Sequence, residues 1–149
     1  EGGIECLDEN GKIVEPLRKI FELIKEYDAV LGTGHLSPEE IFKVVHQARE
    51  MGLEKIVITH PEFWVVGMSH EDQVKIVKEY DVILERCFAQ PMGGGVYKNV
   101  MVNTDGGQVE NPNWEVAFEK YAQFLLDNGI TKEELDYMTK EIPSKLLGV

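Results

Sequence analysis

The chain has few cysteines, few basic residues and no long apolar run, and each shortage excludes a class of protein. Cys6 and Cys87 lack metal-ligand spacing, and each lies in an apolar strand-like run, so we interpret both as reduced and buried. Lys and Arg number 15 against 27 Asp and Glu, a formal charge of −12, which argues against nucleic acid or an anionic membrane as a partner. No apolar run approaches the length of a membrane span, so we expect a soluble cytoplasmic protein.

The rest of the composition is that of an ordinary globular protein. Hydrophobic residues make up 43% of the chain and charged residues 28%. A length of 149 residues suits one domain, spanning 1–149, with a real hydrophobic core. The negative charge does not exclude a small anionic substrate, because a bound metal ion could supply local positive charge.

Apolar runs of strand length alternate with amphipathic helical segments along the chain. The predicted strands are 3–7, 29–31, 55–59, 82–88 and 100–105. Strict alternation predicts an α/β fold, in which a parallel sheet of about five strands carries flanking helices joined by right-handed crossovers. The segment 90–98 is too short and too rich in glycine for an amphipathic helix, so we expect a loop between the last two strands.

Three of the helices have a recognisable first turn. In each, a Ser or Thr is followed three positions later by an acidic residue that can close a capping box or a similar cap. The pairs are Ser37 with Glu40, Ser69 with Asp72, and Thr131 with Glu134. They predict helices that begin directly after positions 37, 69 and 131.

Two histidines follow predicted strands. His35 comes shortly after the strand 29–31, and His60 comes directly after the strand 55–59. The carboxyl ends of parallel strands meet at one edge of a sheet, where α/β folds keep their chemistry. If the two strands are neighbours, both imidazoles emerge at that edge. Imidazole is the commonest metal ligand, so the pair is a candidate metal site.

Other residues near the strand ends are candidate site residues, and two interpretations are open for Asp105, Trp64 and His70. Glu85 interrupts an apolar strand and needs a partner, while Arg86 points to the opposite face by strand alternation. Asp105 ends the last strand, where it could act on a bound ligand or could cap the turn that follows. Trp64, in the loop after His60, could wall a pocket or pack on a helix. His70, in a first helical turn, could reach the site or lie at the surface.

Three segments resemble the late strands of an amidohydrolase-type (βα)8 barrel. They are Thr33-Gly34-His35-Leu36-Ser37, Thr59-His60-Pro61 and Thr104-Asp105-Gly106-Gly107-Gln108. The closing segment, from Gly129 to Gly148, is similar to the end of one branch of that superfamily, a group of predicted metal-dependent hydrolases of uncharacterised function. The resemblance covers nearly the whole chain, and the histidine segments are its most specific part.

The resemblance implies a metal site at the barrel mouth. It places the fifth-strand histidine at His35, the sixth-strand histidine at His60 and the eighth-strand aspartate at Asp105. The implied cofactor is a divalent metal ion, with zinc first and manganese, iron or nickel as alternatives. The implied activity is attack of a metal-activated water on an amide, ester or related bond, with Asp105 as metal ligand and proton-transfer residue. The residues assigned to binding a small-molecule substrate are Glu85, Gln108, His70 and Trp64.

The H-x-H pair and the first three strands of the superfamily have no counterpart in this sequence. We therefore expect the chain to correspond to strands four to eight of a TIM barrel, because four or five strands cannot close a barrel alone. The expected partner is a missing amino-terminal half of the same barrel or, in a homo-oligomer, another copy. Two alternatives remain open: a non-catalytic α/β module that binds a small molecule, and a metal-dependent phosphoesterase.

Overall fold

A computed structural model describes residues 4–87 and 97–149 of the chain. Within these ranges four strands form one sheet in the order β1-β2-β3-β4, and every neighbouring pair is parallel. The strands are β1 Leu31–Gly32, β2 Ile56–Ile58, β3 Ile83–Cys87 and β4 Val100–Asn103. The parallel sheet with flanking helices confirms the predicted α/β class. Most of the loop predicted at 90–98 lies outside the described residues.

Helices precede and connect the strands. Their bounds are α1 Glu15–Glu26, α2 Pro38–Glu50, α3 His70–Tyr80, α4 Trp114–Asp127, α5 Lys132–Asp136 and α6 Ile142–Leu147. A 3-10 turn, Tyr97–Asn99, leads into β4, and a π-helical segment, Tyr137–Glu141, joins α5 to α6. Among the described residues, no helix combines the length and the apolar character needed to cross a membrane.

The described part of the strand predicted at 3–7, residues 4–7, does not form a strand of the sheet, and the described sheet has four strands where about five were predicted. Leu7 forms a single antiparallel bridge with Ile13 instead. Between them, the Asp8 carboxylate accepts hydrogen bonds from the backbone N–H groups of Asn10 and Lys12, each at 2.9 Å. This tight turn folds the segment back on itself, so the segment cannot run beside β1 as a parallel strand.

The predicted helix starts are confirmed. Ser37 and Glu40 form a reciprocal capping box, in which the Glu40 carboxylate accepts from the Ser37 backbone N–H at 2.9 Å. Thr131 and Glu134 form a second box, and the Ser69 hydroxyl accepts from the backbone N–H of Asp72. These caps satisfy N–H groups that the first helical turn leaves without a partner.

The sheet has one packed face and one half-open face. In β3 and β4, Leu84 and Val100 are paired and buried, whereas Glu85, Met101 and Asn103 are only half-buried on the other face. The helices α2 and α3 pack against each other, so both lie on the packed face. Consecutive strand order with the crossover helices α2 and α3 on one face produces this single winding.

One hydrophobic cluster joins the helices to the packed face. Its most buried members include Phe21 of α1, Ile41 and Val45 of α2, Ile58 of β2, Ile76 of α3 and Tyr121 of α4. The apolar side chains of α4 are only partly buried, because Trp114 is 62% exposed and Phe124 is 44% exposed.

Arg49 ties the carboxyl ends of α2 and α3 together. Its guanidinium donates to the backbone carbonyls of Tyr80, Leu53, Glu54 and Asp81 at 2.7–3.0 Å. Burial lowers the pKa of this guanidinium, although the carboxylates of Asp81 and Glu54 oppose the shift. The side chain therefore gives four carbonyl groups beyond the helix ends a donor.

Arg49→Met is expected to lower the free energy of unfolding by about 2 kcal/mol, because hydrogen bonds from charged donors contribute about 1.5–3 kcal/mol and water replaces some of them. Urea unfolding measures the change. Arg18→Met removes the same group from an exposed position on α1 and is expected to change stability by less than about 0.5 kcal/mol. Equal losses in the two variants would contradict the role given to Arg49.

Candidate metal site at the carboxyl edge

Two threonines extend the pairing of β1 and β2 beyond the strand ends. The backbone N–H of Thr59 donates to the Thr33 hydroxyl oxygen at 3.2 Å, and the Gly34 N–H donates to the Thr59 hydroxyl oxygen at 3.1 Å. Hydroxyl groups thus replace backbone carbonyls as acceptors where the strands stop. His60 directly follows Thr59, and His35 follows Thr33 after one glycine, so the two histidines leave the sheet side by side.

The imidazoles of His35 and His60 meet at this edge. Their Nε2 atoms lie 3.1 Å apart, their ring centroids 4.9 Å apart, and their planes are inclined by 44°. Two unprotonated Nε2 atoms would repel each other at this distance. Either one ring therefore carries a proton between the two nitrogens, or a cation lies between them. Two Zn–N bonds at a tetrahedral angle separate the nitrogens by about 3.3 Å, so the observed spacing fits a shared metal ion.

The two histidines differ in their surroundings. His35 is exposed, whereas His60 is 5% exposed and its ring centroid lies 5.0 Å from that of Phe63. The Nδ1 atom of His60 is buried and has no hydrogen-bond partner among the described residues. His60 also has a φ of +23°, a backbone conformation that residues other than glycine rarely adopt. Buried polar atoms without a partner and unfavourable backbone conformations both cost free energy, and both are found preferentially at functional sites.

Glu85 holds the backbone of His60 from the half-open face. One carboxylate oxygen accepts a hydrogen bond from the His60 backbone N–H at 3.2 Å, and the other accepts from Asn103 Nδ2 at 2.5 Å. Arg86 lies on the packed face, as strand alternation predicts. Sequence reasoning recognised that Glu85 needs a partner but did not identify either one, because both come from neighbouring strands.

Asp105 lies just beyond β4, but the structure does not bring it to the histidines. Its side chain is exposed, and its Oδ2 atom lies 3.9 Å from the Cys87 thiol sulfur. The turn here is capped by Asn103, whose side-chain oxygen accepts from the Asp105 backbone N–H at 3.1 Å. Within residues 4–87 and 97–149, no three His, Cys, Asp or Glu side chains are grouped closely enough to hold a metal ion.

The other predicted substrate-binding residues lie at the surface. Trp64 is 77% exposed, with its ring centroid 5.8 Å from that of Phe63, and His70 is exposed in the first turn of α3. Gln108 is exposed, and its side-chain oxygen accepts from Asn111 Nδ2. In the described part of the chain, Trp64, His70 and Gln108 form no hydrogen bond with the histidine pair.

A buried ion pair lies close to His60, and sequence reasoning missed it. Arg86 Nη2 donates to Glu62 Oε1 at 2.6 Å and to Gln73 Oε1 at 2.7 Å. Arg86 is 4% exposed, and the Glu62 side chain is 16% exposed. The signal was present, because an arginine on the buried face of an apolar strand requires acceptors.

Desolvation dominates the electrostatics of this ion pair. Burial raises the pKa of the Glu62 carboxyl above its ordinary value, although the Arg86 guanidinium opposes the shift. Burial also lowers the pKa of Arg86 and, despite the nearby guanidinium, raises the pKa of Tyr121 to about 12. For both Glu62 and Arg86, burial shifts the pKa in the direction that favours the neutral form. The ion pair therefore adds little net stability relative to an apolar replacement.

Two surface cavities lie away from the histidine pair. A groove of about 620 Å³ is lined by residues of α5 and the π-helical segment, including Lys132 and Asp136. A smaller cavity of about 290 Å³ lies at the amino ends of the strands, beside Ile56 and Ile83. Neither cavity takes a lining residue from the carboxyl edge.

The donor set at the edge fits a divalent first-row metal ion in part. Two imidazole nitrogens with the right separation suit zinc and its neighbours better than magnesium. Two protein ligands leave open positions for water, substrate or further ligands, and they bind a metal ion weakly. His35 and His60 are the residues that would hold such an ion.

The fold and the site define an α/β protein with a singly wound parallel sheet and a histidine pair at its carboxyl edge. The chain belongs to DUF6282, a family of unknown function, whose family model matches residues 1–85. The matched part includes both histidines and Glu85. No curated protein and no solved structure matches the chain.

Proposed function

We propose that this chain carries part of the active site of a metal-dependent hydrolase of the amidohydrolase type. The reaction is hydrolysis of an amide, ester or related bond in a small-molecule substrate. The observation that carries the proposal is the 3.1 Å separation of the Nε2 atoms of His35 and His60 at the carboxyl edge of a parallel sheet.

The winding of the sheet supports a (βα)8 barrel as the complete fold. The strands follow one another in chain order, and α2 and α3 lie on the same face. A barrel needs this arrangement, because its helices surround the sheet and the helix-free face becomes the interior. Four strands cannot close a barrel, so the proposal requires further strands from the rest of the polypeptide or from another copy.

Each residue at the edge has a separate task in the proposed reaction. His35 and His60 hold a divalent metal ion, preferably zinc, with manganese, iron or nickel as alternatives. Such an ion polarises a carbonyl or phosphoryl oxygen and acidifies water. Glu85 fixes the backbone of His60. The resemblance assigns Asp105 as the carboxylate that accepts the proton of the attacking water, a role that requires the segment after β4 to approach the histidine pair in the complete site. Substrate-binding roles for Gln108, His70 and Trp64 stay predictions.

A non-catalytic binding module is the second candidate. The observation that favours it is that the described residues offer two metal ligands at this edge rather than three. Such a module would bind metal or a small molecule at the histidine pair and would turn nothing over. A metal-dependent phosphoesterase would use the same ligands on a phosphate ester.

Zinc titration of the purified protein tests the proposal. We expect one zinc ion per histidine pair, and we expect His60→Gln or His35→Gln to weaken binding by more than about 100-fold, beyond the usual cost of outer-shell changes. His46→Gln is the matched control, because His46 is exposed on α2 and its ring nitrogens contact Glu50 and Tyr80. Affinity should fall as the pH is lowered, because protons compete with the metal ion for imidazole nitrogens.

The outcomes separate the candidates. Zinc-dependent hydrolysis of a p-nitrophenyl ester or an anilide supports the hydrolase, and a preference for a phosphate ester supports the phosphoesterase. Zinc binding without turnover in a protein with a closed barrel supports the binding module. A wild-type protein that binds zinc no better than the His60→Gln variant contradicts the hydrolase and the phosphoesterase, and leaves only a binding module that holds a small molecule without metal.

A further inference from the structure

The loop 60–68, which begins at His60, is a closed structure. The Phe63 N–H donates to the His60 carbonyl at 2.9 Å, and the Met68 N–H donates to the Pro61 carbonyl at 2.9 Å. The two ends of the loop are therefore joined to each other by backbone hydrogen bonds. Because His60 is the first residue of this loop, any movement of the loop moves its imidazole.

Side chains of β3 and α3 hold both ends of the loop. Arg86 pairs with Glu62 near the amino end, and the same guanidinium donates to Gln73. Gln73 Nε2 in turn donates to the Met68 carbonyl at 3.0 Å, at the carboxyl end. Gln73 is 3% exposed, so this connection is buried like the ion pair.

Neighbouring residues of β3 hold the loop from opposite faces of the sheet. Glu85 accepts from the His60 N–H on the half-open face, while Arg86 contacts Glu62 on the packed face. The first three residues of the loop are thus held from both sides. This double attachment accounts for the unfavourable φ of His60, since such conformations persist only where the surroundings over-determine them.

We propose that Glu62, Gln73 and Arg86 form a positioning cluster that holds His60 in the orientation that places its Nε2 atom against that of His35. The cluster acts through the loop 60–68 and touches neither the second histidine nor a substrate. Its metal-binding consequence rests on the proposed function, but its effect on the histidine does not. A cluster that only stabilised the fold would leave His60 equally protected in every folded variant.

The test measures the reactivity of His60 toward diethyl pyrocarbonate without added metal, residue by residue, by mass spectrometry. Glu62→Met with Arg86→Met removes the ion pair without leaving an unpaired charge, so the protein should fold. We expect the rate of His60 modification to rise by about 10- to 100-fold. The free energy lost with a hydrogen bond from a charged group raises the population of the open loop by about this factor. Circular dichroism establishes that the variant is folded.

Two further variants make the result decisive. Glu39→Met with Lys43→Met removes an exposed ion pair on α2, and its His60 reactivity should stay within about twofold of wild type. Gln73→Met removes the hydrogen bonds to the Met68 carbonyl and from Arg86 but keeps the Glu62–Arg86 ion pair, and it should raise the reactivity by about 3- to 10-fold. Protected His60 in the folded double variant overturns the proposal. If the double variant does not fold, protected His60 in Gln73→Met does so.

Zinc titration of the same variants distinguishes this proposal from the proposed function. In the double variant we expect zinc affinity to fall by about 10- to 100-fold, as for other residues that orient a metal ligand. A wild-type protein that binds no zinc, with His60 protected only when the cluster is intact, contradicts the metal site and supports the positioning cluster. Equal zinc affinity and equal His60 protection in wild type and the double variant overturn the cluster alone.

Discussion

Arg86→Met is expected to lower the free energy of unfolding by about 3–5 kcal/mol, the usual cost of breaking a buried ion pair by removing one partner. The loss arises because Glu62 stays buried without its counter-charge and Gln73 loses a donor. Urea unfolding at neutral pH measures it. A loss below about 1 kcal/mol would mean that water or a rearranged loop satisfies the acceptors that Arg86 contacts.

The double variant Glu62→Met, Arg86→Met is expected to recover part of that loss. Removing both charges also removes their desolvation cost, and apolar replacements of buried pairs are often neutral or stabilising. Gln73 Oε1 still lacks its donor, which leaves the double variant about 1–3 kcal/mol below wild type. A double variant less stable than Arg86→Met would contradict the view that desolvation outweighs attraction in this pair.

The pH dependence of the Arg86→Met loss has a definite sign. The pKa of Glu62 is raised in the folded state, so folding favours its protonated form. That contribution is fully present below the unfolded-state pKa and is lost as the pH rises through the raised folded-state pKa. Without Arg86 the folded-state pKa rises further. The stability gap between Arg86→Met and wild type should therefore narrow as the pH is lowered.

Asp105→Asn is expected to lower turnover by about 10²–10⁴, the usual worth of a positioned acid–base group. The amide cannot accept a proton from water, although it has nearly the shape of the carboxylate. Asp105 is exposed and apart from the histidine pair, so stability and zinc affinity should be nearly unchanged. The assay uses the assembly that the proposed hydrolase requires, with zinc and a p-nitrophenyl ester.

A neighbouring carboxylate provides the control for Asp105. Glu110→Gln makes the same chemical change at an exposed position a few residues further along the chain and should leave turnover unaffected. Near-normal turnover in Asp105→Asn would contradict its role as the proton acceptor and leave Asp105 a residue of the turn after β4. A parallel fall in zinc affinity would instead indicate that Asp105 is a metal ligand in the complete protein.

The sequence predicted the parts of the structure that depend on residues close together along the chain. The helix starts at Ser37, Ser69 and Thr131 were predictable, because a cap and its acidic partner lie within one helical turn. The alternation of strands and helices predicted a parallel sheet, and that sheet is present.

The same local information failed where burial depends on what packs from elsewhere. In α4, Trp114 and Phe124 lie at helical spacing but stay exposed, because apolar periodicity indicates a face and does not supply a surface to cover it. The apolar segment 3–7 has the composition of a strand, but a turn pairs Leu7 with Ile13 instead. Propensity is a weak guide where the competing partner is only a few residues away.

For the candidate site, the sequence by itself predicted that His35 and His60 share one edge of the sheet if their strands are neighbours. Each follows a threonine-bearing strand end, and β1 pairs with β2 in a register that aligns the two histidines. Only the tertiary structure decided their 3.1 Å contact, the attachment of His60 through Glu62, and the separation of Asp105 from the pair. Periodicity along a strand determines the face of the sheet on which a side chain lies, and strand direction determines the edge at which the strand ends. Distances between side chains depend on loops and rotamers that neighbouring elements select.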